Sequence, residues 1–238
     1  MADFTEQNRQ YFDKMASTYK DNFANVVESL SNLTRDRRLW MSDKWTDTEA
    51  GKGQEIKMLE YACGPGHVSI ALAPYVTKVI GLDVSDNMIS EFNKNAQEAN
   101  LSDKMTGRKG DLLAESFSEE MNSPEIFDFD LVVISVALHH FENPGLAMKR
   151  LGERLKKGGV CFIIDFVPAQ HHEFDKEFAE AGKTVKSHGF SREQTWELFE
   201  GAGLSEGFEY EVIQEPINFT KDGKTFEKTI FVAKAKLV

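Results

Sequence analysis

The feature that most constrains this chain is an alternation of strand-like and helix-like segments from residue 56 to residue 167. Ile56–Tyr61 is a short apolar run, followed by a glycine-rich turn and a helical stretch, His67–Tyr75. Thr77–Asp83 reads as a second strand, after which Ser85 is placed to cap a helix running to about Ala99. A weaker strand leads to Gly110-Asp111, and Asp128–Ser135 is the clearest buried strand, a run of β-branched residues bounded by charges. The next helix starts at an Asn143 cap with Pro144 in its first turn, and Lys156-Lys157-Gly158-Gly159 reads as its C-terminal stop before the strand Val160–Val167. Strands alternating with helices of this length predict a doubly wound α/β architecture, a mostly parallel sheet with helices on both faces.

The flanks read differently. Residues 1–45 are helical in pattern, with Phe23, Val26, Val27, Leu30 and Leu33 forming one apolar stripe, and Thr46–Gln54 is a polar loop. Residues 169–187 are polar with helical spacing, Phe174 and Phe178 lying four apart. Ser191-Arg192-Glu193-Gln194 fits a capping box opening a helix that carries Trp196, Leu198, Phe199 and Leu204. Gly207–Gln214 and Thr225–Ala235 are strand-like, and Lys221-Asp222-Gly223-Lys224 reads as the turn of an antiparallel hairpin between them. The whole, 1–238, is expected to be one domain: a helical cover over 1–45, a core over 56–167, a substrate cover over 169–190, and a closing helix and hairpin over 191–238.

Composition removes several classes. With 28 basic and 39 acidic residues the formal charge is −11, which disfavours a partner gripped by its phosphates, so no nucleic-acid partner is expected. No apolar run approaches a membrane span and the N-terminus lacks the pattern of a signal peptide, so a cytoplasmic protein without membrane partners is expected, as monomer or homodimer. The two cysteines, Cys63 and Cys161, cannot form a disulfide framework and read as buried thiols.

The chemistry concentrates at strand ends. Glu60-Tyr61-Ala62-Cys63-Gly64-Pro65-Gly66 joins the first strand to its helix, and Asp83 ends the second strand 17 residues after Gly66. Glycines there let a backbone approach a ligand, and an acid at that place suits ribose hydroxyls. A dinucleotide brings a pyrophosphate, which disfavours a nearby anion; here Glu60 stands at the loop and Ser69 replaces the third glycine of the dinucleotide fingerprint. A carboxylate better suits a ligand with an ammonium group and a cationic centre, such as S-adenosyl-L-methionine (SAM), with Asp111 placed to accept from its adenine amino group.

These segments resemble class I SAM-dependent methyltransferases over nearly the whole chain. Leu59–Gly66 matches the family's first motif, with Ala62 where the strictest form has glycine; Gly81–Ser85, Gly110–Leu112, Phe129–Ser135 running into Ala137–Phe141, and Leu155–Gly159 match later ones. Tyr11–Tyr19 is similar to the lid segment of the small-molecule branch, quinone-biosynthesis types included. The resemblance implies a Rossmann-like sheet of seven strands in the order 3-2-1-4-5-7-6, strand 7 antiparallel, under an N-terminal helical cover. It implies cofactor contacts from Tyr19, Glu60, Ala62, Gly64, Gly66, Asp83, Val84, Met88, Asp111, Leu112 and Ser135.

The expected reaction is methyl transfer to a small molecule by in-line displacement. If the acceptor keeps its proton, His139 and His140, just past the fourth strand, are the candidate bases. A metal site from these two and Asp165 is disfavoured, because adjacent histidines on a loop tend to point apart and no ligand spacing such as HExxH is present; no metal is expected. His171-His172 and His188 are further histidines beside the cover, and His188-Gly189-Phe190 is placed to line a substrate pocket or stabilise a turn. Ser135-Val136-Ala137-Leu138 lacks the Asn/Asp-Pro-Pro-Tyr of enzymes that methylate amino groups of nucleobases or glutamine. A non-catalytic SAM-binding regulatory module and an NAD(P)-dependent reductase are the alternatives.

Overall fold

In the computed structural model, which describes residues 4–116, 118–169, 176–221 and 223–238, the alternation folds as a layered α/β unit. The N-terminal cover is segmented: α1 (Phe4–Met15), α2 (Tyr19–Asn22), α3 (Ala24–Asp36) and α4 (Arg38–Met41). The core follows as β1 (Lys57–Tyr61), α5 (His67–Leu72), β2 (Lys78–Asp83), α6 (Asp86–Glu98), β3 (Met105–Lys109), β4 (Phe129–Ser135), α7 (Pro144–Gly152) and β5 (Leu155–Phe166). The C-terminal part holds α8 (Ala179–Gly182), α9 (Arg192–Gly201), β6 (Leu204–Val212), β7 (Ile217–Lys221), β8 (Lys224–Lys228) and β9 (Ile230–Leu237).

Seven strands form one sheet in the order β3-β2-β1-β4-β5-β9-β6, and β9 runs antiparallel to both its neighbours. This is the expected order, since β9 is the seventh sheet strand in chain order. Neighbouring residues on each strand feed opposite faces. Met58, Val79, Leu131, Val133 and Phe162 pack with the N-terminal helices, while Leu59, Ile80, Val132, Ile134 and Ile163 pack with α7 and α9 residues. Strands buried on both faces explain the unbroken apolar runs.

Local signals set the helix ends. Ser85 accepts from Met88 N and Asn143 from Leu146 N as the N-caps of α6 and α7. Both hydrogen bonds of the Ser191–Gln194 capping box are present. Pro74 tightens the end of the His67–Tyr75 stretch into a 3-10 turn after Leu72.

Three expectations need correction. The Lys156–Gly159 run does not close α7, which ends at Gly152; it lies inside β5, where the pairing with β4 shifts register between Phe129 and Leu131. Gly158, at φ +74°, makes that irregularity, and a Cβ on Gly159 would sit 2.8 Å from the Phe129 carbonyl oxygen. Leu204 begins β6 instead of extending the preceding helix. The turn at 221–224, whose Asp222 lies outside the described residues, joins β7 to β8 in a separate two-stranded sheet, while β6 pairs with β9. The Thr225–Ala235 run changes character at Thr229. Before it only alternate residues are covered, whereas Ile230, Phe231, Val232 and Ala233 are all buried and belong in the main sheet. Phe174 and His171-His172 lie outside the described residues; among the described ones nearby, Lys176-Glu177 and Ala179–Gly182 are helical.

Phe92 of α6, fully buried, holds α6 against the first half of the sheet because three glycines make room for its ring: Gly66, Gly81 and Gly107. A Cβ at Gly81 would lie 2.5 Å from Phe92 Cε2 and 2.8 Å from Cys63 Sγ. Gly81→Ala is therefore expected to destabilise the fold by about 1–3 kcal/mol through overpacking. Urea denaturation checks it, and an unchanged midpoint would contradict this packing account.

Candidate active site

The site is built at the carboxyl ends of β1, β2 and β4. After β1 the chain turns through three left-handed residues, Ala62 (φ 52°), Gly64 (φ 49°) and Gly66 (φ 81°). Alanine in that region costs about 1–2 kcal/mol, so the turn is held by its surroundings. Gly64 N donates to Asp83 Oδ2 at 2.9 Å and Ser85 N to Asp83 Oδ1 at 2.9 Å, which ties the turn to the end of β2. Burial pushes the Asp83 carboxyl up to about 6 against the pull of these amides.

Glu60 is anchored differently. Its Oε2 accepts from Ser69 N at 3.0 Å and Ser69 Oγ at 2.5 Å, so the residue standing in place of a third glycine is the carboxylate's partner. Burial pushes Glu60 up to about 7, opposed by the Ser69 bonds. At the end of β3, Asp111 Oδ1 accepts from Leu113 N at 2.8 Å, and Tyr61 Oη accepts from Leu112 N at 3.1 Å. Tyr61 packs on Phe141 with ring centroids 5.4 Å apart.

Nine of the eleven expected cofactor residues line one cavity: Tyr19, Glu60, Ala62, Gly64, Asp83, Val84, Met88, Asp111 and Ser135. Gly66 and Leu112 do not. Gly66 caps α5 against Phe92, and the Leu112 side chain is buried in the core while Leu113 lines the cavity in its place. Asn8 of α1 and His67, which carried no sequence signal for the site, join the lining, as do Phe12 and Phe141 from the lid and fourth-strand matches. Three buried polar atoms without a hydrogen-bond partner among the described residues, Asn8 Oδ1, His67 Nε2 and Ser135 Oγ, belong to residues of this one cavity. Buried polar groups are rarely left this way, so the lining fits a ligand rich in donors and acceptors. Glu60, Asp83 and Asp111 suit its cationic and donor groups.

A second cavity adjoins the first, sharing Phe12, Tyr19, Ser135, Val136 and His140, and is walled by Tyr11, Phe23, Phe166, Phe178 and Phe219. Its polar lining includes His139, His188 and the β8 residue Lys228. Between the cavities, Val136 at φ 50° turns the chain out of β4 into a 3-10 turn, Leu138–His140.

The two histidines do not point apart, as adjacency had suggested: their ring centroids lie 4.0 Å apart, with the planes tilted by 41°. Each is anchored through Nδ1. The Asp165 carboxylate lies 2.7 Å from His139 Nδ1 and also accepts from His139 N and Phe166 N. His140 Nδ1 lies 2.8 Å from the Thr184 carbonyl oxygen, an acceptor only, so this nitrogen carries the proton and Nε2 the lone pair. Lys186 N and Ser187 N donate to the His139 carbonyl, so the segment after α8 clamps the turn on both sides. Burial and the neighbouring His139 hold His140 well below the usual imidazole range. Among the described residues no group of three His, Cys, Asp or Glu is placed to hold a metal.

Helix α1 closes the roof. Asp13 Oδ1 accepts from Ser85 Oγ at 2.5 Å and Asn87 N at 3.2 Å, and Asn87 Nδ2 donates to the Asp13 carbonyl at 3.0 Å. Phe12 meets His140 edge-on at 5.2 Å.

Comparison with known proteins places this geometry. The model of the methyltransferase domain family matches residues 52–216. An uncharacterized methyltransferase of Schizosaccharomyces pombe is 26% identical over 233 residues, covering 86% of this chain and 81% of that protein. A demethylmenaquinone methyltransferase of Staphylococcus carnosus is 25% identical over 167 residues, 67% of this chain and 63% of its own length. Among solved structures, magnesium protoporphyrin IX methyltransferase from Synechocystis with bound SAM superposes with a TM-score of 0.63 at 13% identity, covering 99% of both chains, a likeness of fold.

Glu60 has a folded value of about 7, above its ordinary 4.5. A carboxyl raised on folding lends stability below its unfolded value and loses it as pH rises through the folded one. Glu60→Gln, which stays neutral, should therefore gain about 1–3 kcal/mol on the wild type between pH 5 and pH 8. Thermal melts at the two pH values check this; parallel pH dependence of the two proteins would contradict it.

Proposed function

We propose that this chain, which belongs to the methyltransferase-domain family and is a SAM-dependent methyltransferase, transfers its methyl group to a small-molecule acceptor by in-line displacement. The observation that carries this reading is the pair of adjoining cavities, one lined by strand-end carboxylates and the other by aromatic rings, meeting at Ser135, Val136 and His140. SAM, when bound, supplies a methyl group already activated by its sulfonium. In this reading Glu60 faces the ammonium, Asp83 the ribose hydroxyls and Asp111 the adenine amino group, with Tyr61 and Phe141 beside the base.

The protein's remaining task is to orient the acceptor and exclude water, and proximity of this kind contributes about 7–11 kcal/mol. Helix α1 and the segment around Thr184 roof the second cavity and support that role. Where the acceptor keeps a proton, His140 Nε2 is placed to take it: the ring borders both cavities, and the Thr184 carbonyl fixes its tautomer. A neutral imidazole held that way contributes about 10²–10⁴-fold as a general base. The charge of −11 and the Ser135–Leu138 sequence favour a metabolite over a nucleic acid, and two buried free thiols suit a reducing, cytoplasmic setting.

Incubating the protein with isotopically labelled SAM and extracted metabolite pools is expected to label one small, ring-containing product. SAM binding without label in any small molecule, or label confined to protein or nucleic acid, would overturn the reading. Asp83→Ala is expected to weaken SAM binding by about 1–3 kcal/mol, measured by isothermal titration, through loss of a buried hydrogen-bonding carboxylate; unchanged affinity would mean that Asp83 does not hold the cofactor.

A further inference from the structure

The one buried residue of α1 is polar. Along Phe4–Met15 only Asn8 is buried, at 6% exposure. A helix that served solely to shield a cavity would place an apolar side chain there, at no cost in unmet hydrogen bonds. The orientation of the Asn8 amide is set by the helix itself, since Nδ2 donates to the Phe4 carbonyl at 3.1 Å. That leaves Oδ1, an acceptor, as the buried atom without a partner, on a residue that lines the cofactor cavity.

The donors that SAM offers an acceptor are its ammonium, its ribose hydroxyls and its adenine amino group. The placement of α1 selects among them. Its C-terminal end is fixed at the end of β2 by Asp13, which bonds Ser85 and Asn87. Its N-terminal half extends over the end of β3 and the loop after β4. Thr5 lines the cavity with Asp111 and Leu113, which follow β3, and Phe4 lies 5.5 Å from the ammonium of Lys186, itself paired with Glu142. Asn8 sits between these points and shares the cavity with Asp111, Leu113 and Phe141. The ammonium belongs to Glu60 and the ribose to Asp83, at the ends of β1 and β2.

We propose that Asn8 Oδ1 accepts one of the two hydrogens of the adenine amino group, the other facing Asp111, making the N-terminal helix part of the nucleoside site and not only its roof. This rests on the SAM reading of the cavity. It makes the cofactor site incomplete until α1 docks, and it gives the Asp13 latch a reason to hold α1 in register over the base. Asn8 acts there as a binding residue, with no part in moving a proton.

The test needs no methyl acceptor. Isothermal titration of the full chain compares S-adenosylhomocysteine with S-inosylhomocysteine, which carries an oxygen in place of the adenine amino group. The wild type is expected to prefer the adenosyl compound by at least about tenfold. In Asn8→Ala and in the near-isosteric Asn8→Leu, affinity for the adenosyl compound should fall about fivefold or more while that for the inosyl compound stays within about twofold, so the preference shrinks. Equal losses for both compounds would overturn the proposal by showing that Asn8 only shapes the cavity. A preference preserved in both variants would overturn it too, and so would a wild type without preference, an outcome that stands even if neither variant folds. Failure of the wild type to bind S-adenosylhomocysteine at all would instead sink the SAM reading beneath it.

Discussion

Glu60 and Asp83 are carboxylates buried at the edge of an apolar sheet, and the site is arranged around keeping them there. An isolated ionised carboxyl in such surroundings is costly, so each is given hydrogen-bond donors from the chain itself. For Asp83 these are the amides of Gly64 and Ser85, one from each strand-end turn. For Glu60 they are the amide and hydroxyl of Ser69 in α5. The same bonds fix the turns: with Gly64 tied to Asp83, the β1 turn follows its left-handed path even though one of its residues is Ala62. Burial still outweighs the donors, since both groups are raised, an imbalance that a cationic, donor-bearing ligand would correct.

Much of this was legible in the sequence because it is local. The Ser85, Asn143 and Ser191 caps, the apolar strand runs and the acids at strand ends each act within a few residues, and they stand where the pattern put them. What escaped is non-local. Lys156–Gly159 carries the residues of a helix stop, yet the pairing of β5 with β4 absorbs them as a strand irregularity. Nothing near Asn8 announces that it is the covered position of α1, because that depends on where Asp13 meets Ser85, a contact spanning some 72 residues. Leu112 and Leu113 are chemically alike; only the fold decides which one turns to the core.

The histidine pair shows how a weak positional argument becomes specific. Two adjacent imidazoles carry little information by themselves. Asp165, a lone acid in the apolar run Val160–Val167, sits at the end of β5, where its carboxylate receives the His139 ring and two amides. The Thr184 carbonyl then settles the proton on His140 Nδ1. The base candidate and its tautomer are products of β5 and the cover segment acting together, which no single motif encodes.

The small β7–β8 sheet has one more implication. The chain leaves the main sheet after Val212 and re-enters at Ile230, and Ile213 N donates to the Ile230 carbonyl, so the excursion begins and ends at one point. Through Phe219 and Lys228 it also supplies part of the aromatic cavity. A closed detour of this kind can lengthen, shorten or exchange its tip while the seven strands keep their partners, so one wall of the aromatic cavity can be rebuilt without renegotiating the architecture.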